Sequence, residues 1–327
     1  MNILVLGGAG YIGSHFVKYA VRNHNVHVID NLQTGHKAAV HTQAHFHHGD
    51  IRDTVFLDQV FEKAEVDVCV HFAANSLVSE SMDKPLLYFD NNVHGTINLL
   101  KTMEKYNVKH IVFSSSAAVY GNKAKMPLME TDEIKPTNPY GESKRMMEQI
   151  MRWTDVSHGI KFISLRYFNV AGAASDHTIG EDHRPESHLI PIVLQVPLGI
   201  REKITIFGDD YDTPDGTCVR DYIHVDDLAN AHLLAMNQLT DHHQSEIFNL
   251  GNNRGYSNLE IVEVARDVTN HPIPMEMGER RRGDPDKLIA SNAKAREILG
   301  WEPKHDLRSI IKDAWAFHQA YPKGYND

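Results

Sequence analysis

Short apolar runs alternate with stretches of helical pattern through the first half of the chain. The runs fall at 2–6, 26–29, 45–48, 66–72, 110–113 and 161–167, and most are rich in Val, Ile and Phe. Such runs predict strands covered on both faces. Between them, 11–22, 92–106 and 140–153 read as helices. The alternation predicts βαβ units, hence an α/β fold with a doubly wound parallel sheet of Rossmann type, whose ligands bind beyond the carboxyl ends of the strands. The second half loses this rhythm. Residues 175–187 are polar and rich in charge and histidine, 208–219 are turn-rich and 279–286 are charged, so all three are expected to be loops. Helices are expected over 223–237 and 258–269. There is no internal repeat and no low-complexity segment.

Composition narrows the function. The chain has 327 residues with 33 Lys+Arg against 43 Asp+Glu, a formal net charge of −10. That balance argues against a nucleic-acid partner or a basic membrane-surface protein, both of which need a cationic face. No apolar run approaches the ~20 residues of a membrane span. The apolar stretch 189–200 is broken by Pro191, Gln195 and Pro197. A strand-like run opens the chain with no basic region before it, which predicts no signal peptide. Two cysteines, Cys69 and Cys218, lie outside any C-x-x-C pair and point to a reducing, cytoplasmic setting. His41, His45, His47 and His48 crowd one stretch, but no cysteine joins them and their spacing fits no zinc pattern. No metal is expected there.

The chain start carries the first chemistry. Gly7-Gly8-Ala9-Gly10-Tyr11-Ile12-Gly13 lies between a strand and a helix. Glycines at 7, 10 and 13 permit a tight turn, close approach to a pyrophosphate, and close helix–strand packing, while the helix N-terminus offers free N–H groups. Asp30 ends the second strand, near the ~20-residue spacing of a ribose-binding acid. A carboxylate there accepts from the 2′- and 3′-hydroxyls of adenosine and repels a 2′-phosphate, so NAD is the expected cofactor rather than NADP. Asn31 follows it directly. Asp50 and Ile51 end the third strand, where Asp50 is either an adenine contact or a turn residue. Phe72, Ala73 and Ala74 end the fourth strand with small residues that let a cofactor pass closely.

A second anchor is Tyr140-Gly-Glu-Ser-Lys144, preceded by Asn138 as N-cap and Pro139 at the first helical position. Tyr140 and Lys144 then share a helix face. A phenol of pKa ~10 is a poor base at neutral pH, and a neighbouring ammonium favours its ionised form. Ser114-Ser115-Ser116 follows the fifth strand, and a serine there can hydrogen-bond a reacting oxygen.

With these motifs the sequence resembles the extended short-chain dehydrogenase/reductase family, and within it the nucleotide-sugar 4-epimerases. The likeness runs nearly end to end: GGAGYIGSH, VIDNL, HGDIRD, FSSSAAVYG, NPYGESK, RYFNVAGA, IFGDDYDTPDGTCVRDYIHVDDLA and RRGDP. The resemblance implies Ser116, Tyr140 and Lys144 as the catalytic set, with Asn91 and Phe168 beside the cofactor. It implies Asn169, His188, Leu189 and Phe207 around the nucleotide sugar, Arg220 and Arg281 on its diphosphate, Asp284 on a ribose hydroxyl, and Leu288 at a gate for 2-acetamido sugars. It implies an NAD-binding domain over 1–168, with 221–250 returning to it, and a substrate-binding domain over 169–327. It further implies a homodimer acting on a UDP-sugar, interconverting UDP-glucose and UDP-galactose through a transient 4-keto sugar. Two departures stand out: His188 replaces the Asn of many members, and Ser76 replaces a cofactor-contacting Lys of some. Leu288 is intermediate in bulk, so UDP-N-acetylglucosamine stays open as a second substrate. The related 4,6-dehydratases carry Asp-Glu where this chain has Ala117-Ala118, and non-catalytic NAD-sensing relatives lose Tyr or Lys of the pair.

Overall fold

In the computed structural model, which describes residues 1–123, 125–281 and 284–325, the six apolar runs of the first half are strands. They are β1 Asn2–Leu6, β2 Asn25–Asp30, β3 His45–His48, β4 Val68–His71, β5 His110–Ser114 and β6 Lys161–Tyr167. Seven more strands follow: β7 Asn169–Ala171, β8 Ile204–Phe207, β9 Val219–His224, β10 Glu246–Leu250, β11 Gly255–Ser257, β12 Met275–Gly278 and β13 Lys287–Leu288. The main sheet has the order β10-β6-β5-β4-β1-β2-β3, and all its pairs are parallel. The chain leaves β3 at one edge and re-enters beside β1 as β4. A crevice therefore opens at the carboxyl ends of β1 and β4, the switch point where such sheets take ligands.

The near-continuous apolar runs have a simple cause. Ile3 and Val5 pack into one layer with Phe16, Val17, Leu228 and Ala231, from the helices Tyr11–Ala20 and Val225–His242. Leu4 and Leu6 pack into the opposite layer with Leu57, Phe61, Leu99 and Met103, from Thr54–Ala64 and Gly95–Lys105. Both faces of β1 are dry, so its residues are apolar on both.

Four short strands, β11-β9-β13 with β7 beside β9, and the pair β12-β8 make the second layer. Its core holds Ile190, Ile204, Ile206, Tyr222, Ile261, Ile310 and Ile311. The helix Asn258–Thr269 has the expected bounds, because Ser257 and Glu260 form a reciprocal capping box at its start. The helix expected from 223 instead begins at Val225, since the apolar run Tyr222-Ile223-His224 completes β9. The helix expected over 92–106 is Gly95–Lys105, preceded by a wider π-type turn at Phe89–His94. β9 sits in the second sheet, and the chain rejoins the first layer with Val225–His242 and β10. Trp301 also reaches that layer, with its indole N–H donating to the Asp227 carbonyl at 2.9 Å. Among the described residues no helix is long and apolar enough to cross a membrane.

Candidate active site

The phosphate loop is built by close backbone approach. Gly7 has φ +81°, and a Cβ there would stand 2.6 Å from the Ala73 nitrogen. A Cβ on Gly13 would stand 2.1 Å from the Gly7 carbonyl oxygen. No other residue fits either position. Asp30 closes the loop from β2: one carboxylate oxygen accepts from the Ala9 N–H at 3.0 Å, the other from the Leu32 N–H at 2.8 Å. Burial pushes its pKa up while these backbone donors oppose the shift. Asp50 is gripped by the Arg52 guanidinium at 2.9 and 2.8 Å and by Asn31 at 2.9 Å. Those bonds, led by Arg52, hold its carboxyl well below the usual carboxylate range. It also accepts from the Arg52 N–H at 2.9 Å, so it is a turn residue as well as a wall residue.

A cavity of about 310 Å³ lies over this loop. Gly7, Gly10, Tyr11, Ile12, Gly13, Asp30, Asn31, Asp50, Ile51, Phe72, Ala73, Ala74, Asn91 and Phe168 all line it, together with Ser116, Tyr140, Lys144 and Asn169. A second cavity of about 240 Å³ shares Ser116, Tyr140, Tyr167, Phe168 and Asn169 with the first and extends to Arg220, Asp284 and Leu288. Tyr140 and Ser116 therefore stand on the wall common to both. His188 lines the first cavity rather than the second, beside Glu181 at 2.7 Å. Leu189, Phe207 and Arg281 line neither. Leu189 packs against the second core, and the Arg281 guanidinium lies over the Phe207 ring at 4.3 Å.

Ser116, Tyr140 and Lys144 meet through helix Pro139–His158. Asn138 caps it, its Oδ1 accepting from the Gly141 N–H at 2.8 Å, and Pro139 follows at the first turn. A Cβ on Gly141 would lie 2.5 Å from the Ala118 carbonyl oxygen. That close contact brings the Tyr140 turn against the short helix Ala117–Tyr120, whose N-cap is Ser116. Burial raises the Tyr140 phenol above its ordinary value, and the hydrogen bond with Ser116 partly offsets it. Lys144 is buried, donates to the Ser114 carbonyl at 2.8 Å and stands 5.9 Å from the Tyr140 ring centre. Desolvation lowers its pKa to about 7, against the pull of Glu148. The sequence pointed to a lysine that is plainly cationic; burial makes it one that titrates near neutrality.

Residues 3–251 match the NAD dependent epimerase/dehydratase family. A UDP-glucose 4-epimerase of Streptococcus mutans is 60% identical to this chain over 331 residues, covering 100% of this chain and 99% of the relative. The chain belongs to the NAD dependent epimerase/dehydratase family. A crystal structure of a UDP-glucose 4-epimerase superposes with a TM-score of 0.98 at 51% identity, covering 99% of each chain. The enzyme of that name from Bifidobacterium longum, in complex with NAD+ and UDP, superposes with a TM-score of 0.93 at 36% identity, covering 99% of this chain and 100% of the other.

In this member of the epimerase family a buried polar chain supports Lys144 from behind. Ser115 Oγ donates to Glu148 at 2.6 Å, and Arg166 holds the same carboxylate with Nε at 2.9 Å and Nη2 at 2.6 Å. Arg166 Nη1 donates to the Tyr120 hydroxyl at 2.9 Å, which donates to Asn249 at 2.6 Å. None of these five residues was assigned this support from sequence, although Ser115 and Tyr120 lie within the motif FSSSAAVYG. Spacing marks Glu148 as one helical turn beyond Lys144, but nothing local marks Arg166, which arrives through β6. Asn92 was missed in the same way: it accepts from the Asn75 N–H at 2.8 Å and donates to Ser143 at 3.0 Å. Those bonds tie the loop after β4 to helix Pro139–His158.

Proposed function

We propose that this chain interconverts UDP-glucose and UDP-galactose, inverting C4 through a transient 4-keto sugar, with NAD as the cofactor. The observation that carries the reading is the Ser116–Tyr140–Lys144 set, with Ser116 and Tyr140 on the wall shared by a nucleotide-type cavity and a second, smaller one. The cofactor residues suit a dinucleotide: a glycine cradle open to a pyrophosphate, and the Asp30 carboxylate for ribose hydroxyls. When bound, NAD supplies a hydride acceptor that ends each cycle unchanged. Tyr140 takes the proton of the 4-hydroxyl and later returns it, Ser116 hydrogen-bonds the same oxygen, and cationic Lys144 favours the phenolate. Arg220 suits the diphosphate: Nη1 is fixed by the carbonyls of Val219 and Pro285 at 2.9 and 2.8 Å, and a planar guanidinium so held presents its other N–H groups to phosphate oxygens. Binding strength concentrated on the UDP part leaves the sugar free to turn over between the two half-reactions.

Dehydration is disfavoured because Ala117 and Ala118 hold no acid–base group next to Ser116. A purely NAD-sensing role is disfavoured because all three reactive side chains are kept. Purified protein supplied with UDP-galactose and NAD is expected to form UDP-glucose in a coupled assay; no product under saturating NAD defeats the reading.

Leu288 lines the second cavity, and its intermediate bulk supports activity on N-acetylated sugars as a second reading. Leu288→Tyr is expected to lower the ratio of UDP-N-acetylgalactosamine to UDP-galactose turnover by about tenfold or more, the scale of a change in pocket volume. An unchanged ratio removes Leu288 as the gate.

A cytoplasmic homodimer completes the proposal. Trp153 and Val156 on helix Pro139–His158 are 72% and 78% exposed, and Leu86, on a short helix packed against it, is 79% exposed. Apolar side chains this open suit a protein partner, and a second copy is the simplest. Trp153→Glu is expected to sediment as a monomer where the unaltered protein sediments as a dimer. A monomeric unaltered protein rejects the pairing.

A further inference from the structure

The polar segment after β7 gathers four side chains of metal-ligand type. Glu181, His183, Glu186 and His188 each bring one donor atom within 4.8 Å of all the others. His183 Nδ1 is 3.2 Å from Glu181 and 3.8 Å from Glu186, while His188 Nδ1 is 2.7 Å from Glu181 and 3.2 Å from Glu186. Donors bound at 2.0–2.2 Å around a tetrahedral cation lie roughly 3.3–3.6 Å apart, inside the range seen here. Both carboxylates are dry, with side chains 4% and 7% exposed, and a buried charge requires a partner. His183 Nδ1 is buried and meets no hydrogen-bond partner beyond these two carboxylates. Glu186 is held in place by the backbone N–H groups of Ser187 and His188, at 2.7 and 2.8 Å.

We propose that Glu181, His183, Glu186 and His188 form a site for one divalent transition-metal ion of the zinc type. Two imidazole nitrogens and two carboxylate oxygens are the donor set such an ion takes. Two carboxylates carry two negative charges, which one divalent cation balances with both imidazoles neutral. Four protein donors leave no open position, so the ion is a structural clasp rather than a reagent. It ties down segment 181–188, in which Glu181, His183 and His188 form part of the first cavity wall and His183 meets the Tyr11 ring edge-on at 6.3 Å. The alternative occupant of the same four groups is a pair of protons, one on each imidazole. The histidines of the earlier stretch are different: His27 stacks on His45 and His47 at 4.8 and 5.3 Å, and among the described residues no carboxylate completes a cluster there.

The full-length protein, stripped with a chelator and dialysed, is titrated with Zn2+ by calorimetry and with Co2+ by visible absorption. One equivalent per chain is expected, with the intense absorption of tetrahedral cobalt. Glu186→Gln and His183→Asn are each expected to weaken binding at least about 100-fold, the upper end of what outer-shell changes cost. His45→Asn is expected to leave it unaltered. Melting curves of the stripped variants check that each is folded, and the cobalt spectrum of the unaltered protein decides alone if a variant is not. No stoichiometric uptake, a non-tetrahedral spectrum, or uptake that survives both ligand variants overturns the site and leaves the protonated pair.

Discussion

Tyr140→Phe is expected to lower turnover of UDP-galactose by about 10³-fold, within the 10²–10⁴-fold that a positioned proton-transfer group contributes. Only an oxygen is lost. The ring keeps its edge-on packing against Tyr88, with centres 6.4 Å apart, so folding and UDP affinity are expected to stay near those of the unaltered protein. The phenol lies in a dry place that raises its pKa, and its hydrogen bond with Ser116 opposes that rise. Tyr167 is the other phenol on the shared wall. Burial pushes it up too, and its hydrogen bond goes to Ser114 instead, so it is no substitute. The measurement pairs kcat with the dissociation constant of UDP by calorimetry. A variant that binds UDP normally and turns over within tenfold of the original removes Tyr140 as the base. One that loses both activity and UDP affinity points to a damaged fold instead.

How much of this was legible in the chain depends on whether a signal is local. Strands such as β1, β4 and β5 stood out because burial on both faces demands apolar residues at nearly every position, whereas β3 is a partly exposed run of three histidines and a phenylalanine. The glycines of the first loop and the Asn-Pro start of helix Pro139–His158 are equally local, since each residue's own backbone requirement selects it. The start of helix Val225–His242 was not legible, because Ile223 and Val225 read as one run although a capping histidine, His224, divides them. The π-type turn at Phe89–His94 breaks the 3.6-residue period and was smoothed over. Contacts between distant segments left least trace. Arg166 reaches Glu148 across 18 positions and Asn249 reaches Tyr120 across 129, and single-sequence patterns hold no record of such meetings. The histidines show the same limit: His45 and His47, crowded in sequence, stack on His27 of the neighbouring strand, while the set that converges with carboxylates lay in a segment that reads as an ordinary polar loop.

Glu148→Gln is expected to have the largest effect on stability, about 3–5 kcal/mol by urea unfolding, the scale of breaking a buried ion pair by removing one partner. The Glu148 and Arg166 side chains are 4% and 1% exposed, so a neutral amide in place of the carboxylate would leave a guanidinium without its counter-charge in a dry core. The same change should reach the reaction. Glu148 is the group that holds up the pKa of Lys144 against desolvation, keeping it at about 7. In the proposed reaction Lys144 acts as a cation, so activity that depends on it is expected to fall as pH rises through that pKa. Without the Glu148 charge the lysine sheds its proton earlier, and the alkaline fall in kcat moves to lower pH. Arg166→Met supplies the contrast: it breaks the same pair, and so destabilises, but leaves the carboxylate free to attract Lys144, so the fall moves to higher pH. Opposite displacements in two variants of similar stability locate the effect in electrostatics on Lys144. Displacements of the same sign, or none, reduce the Glu148–Arg166 pair to a support of the fold.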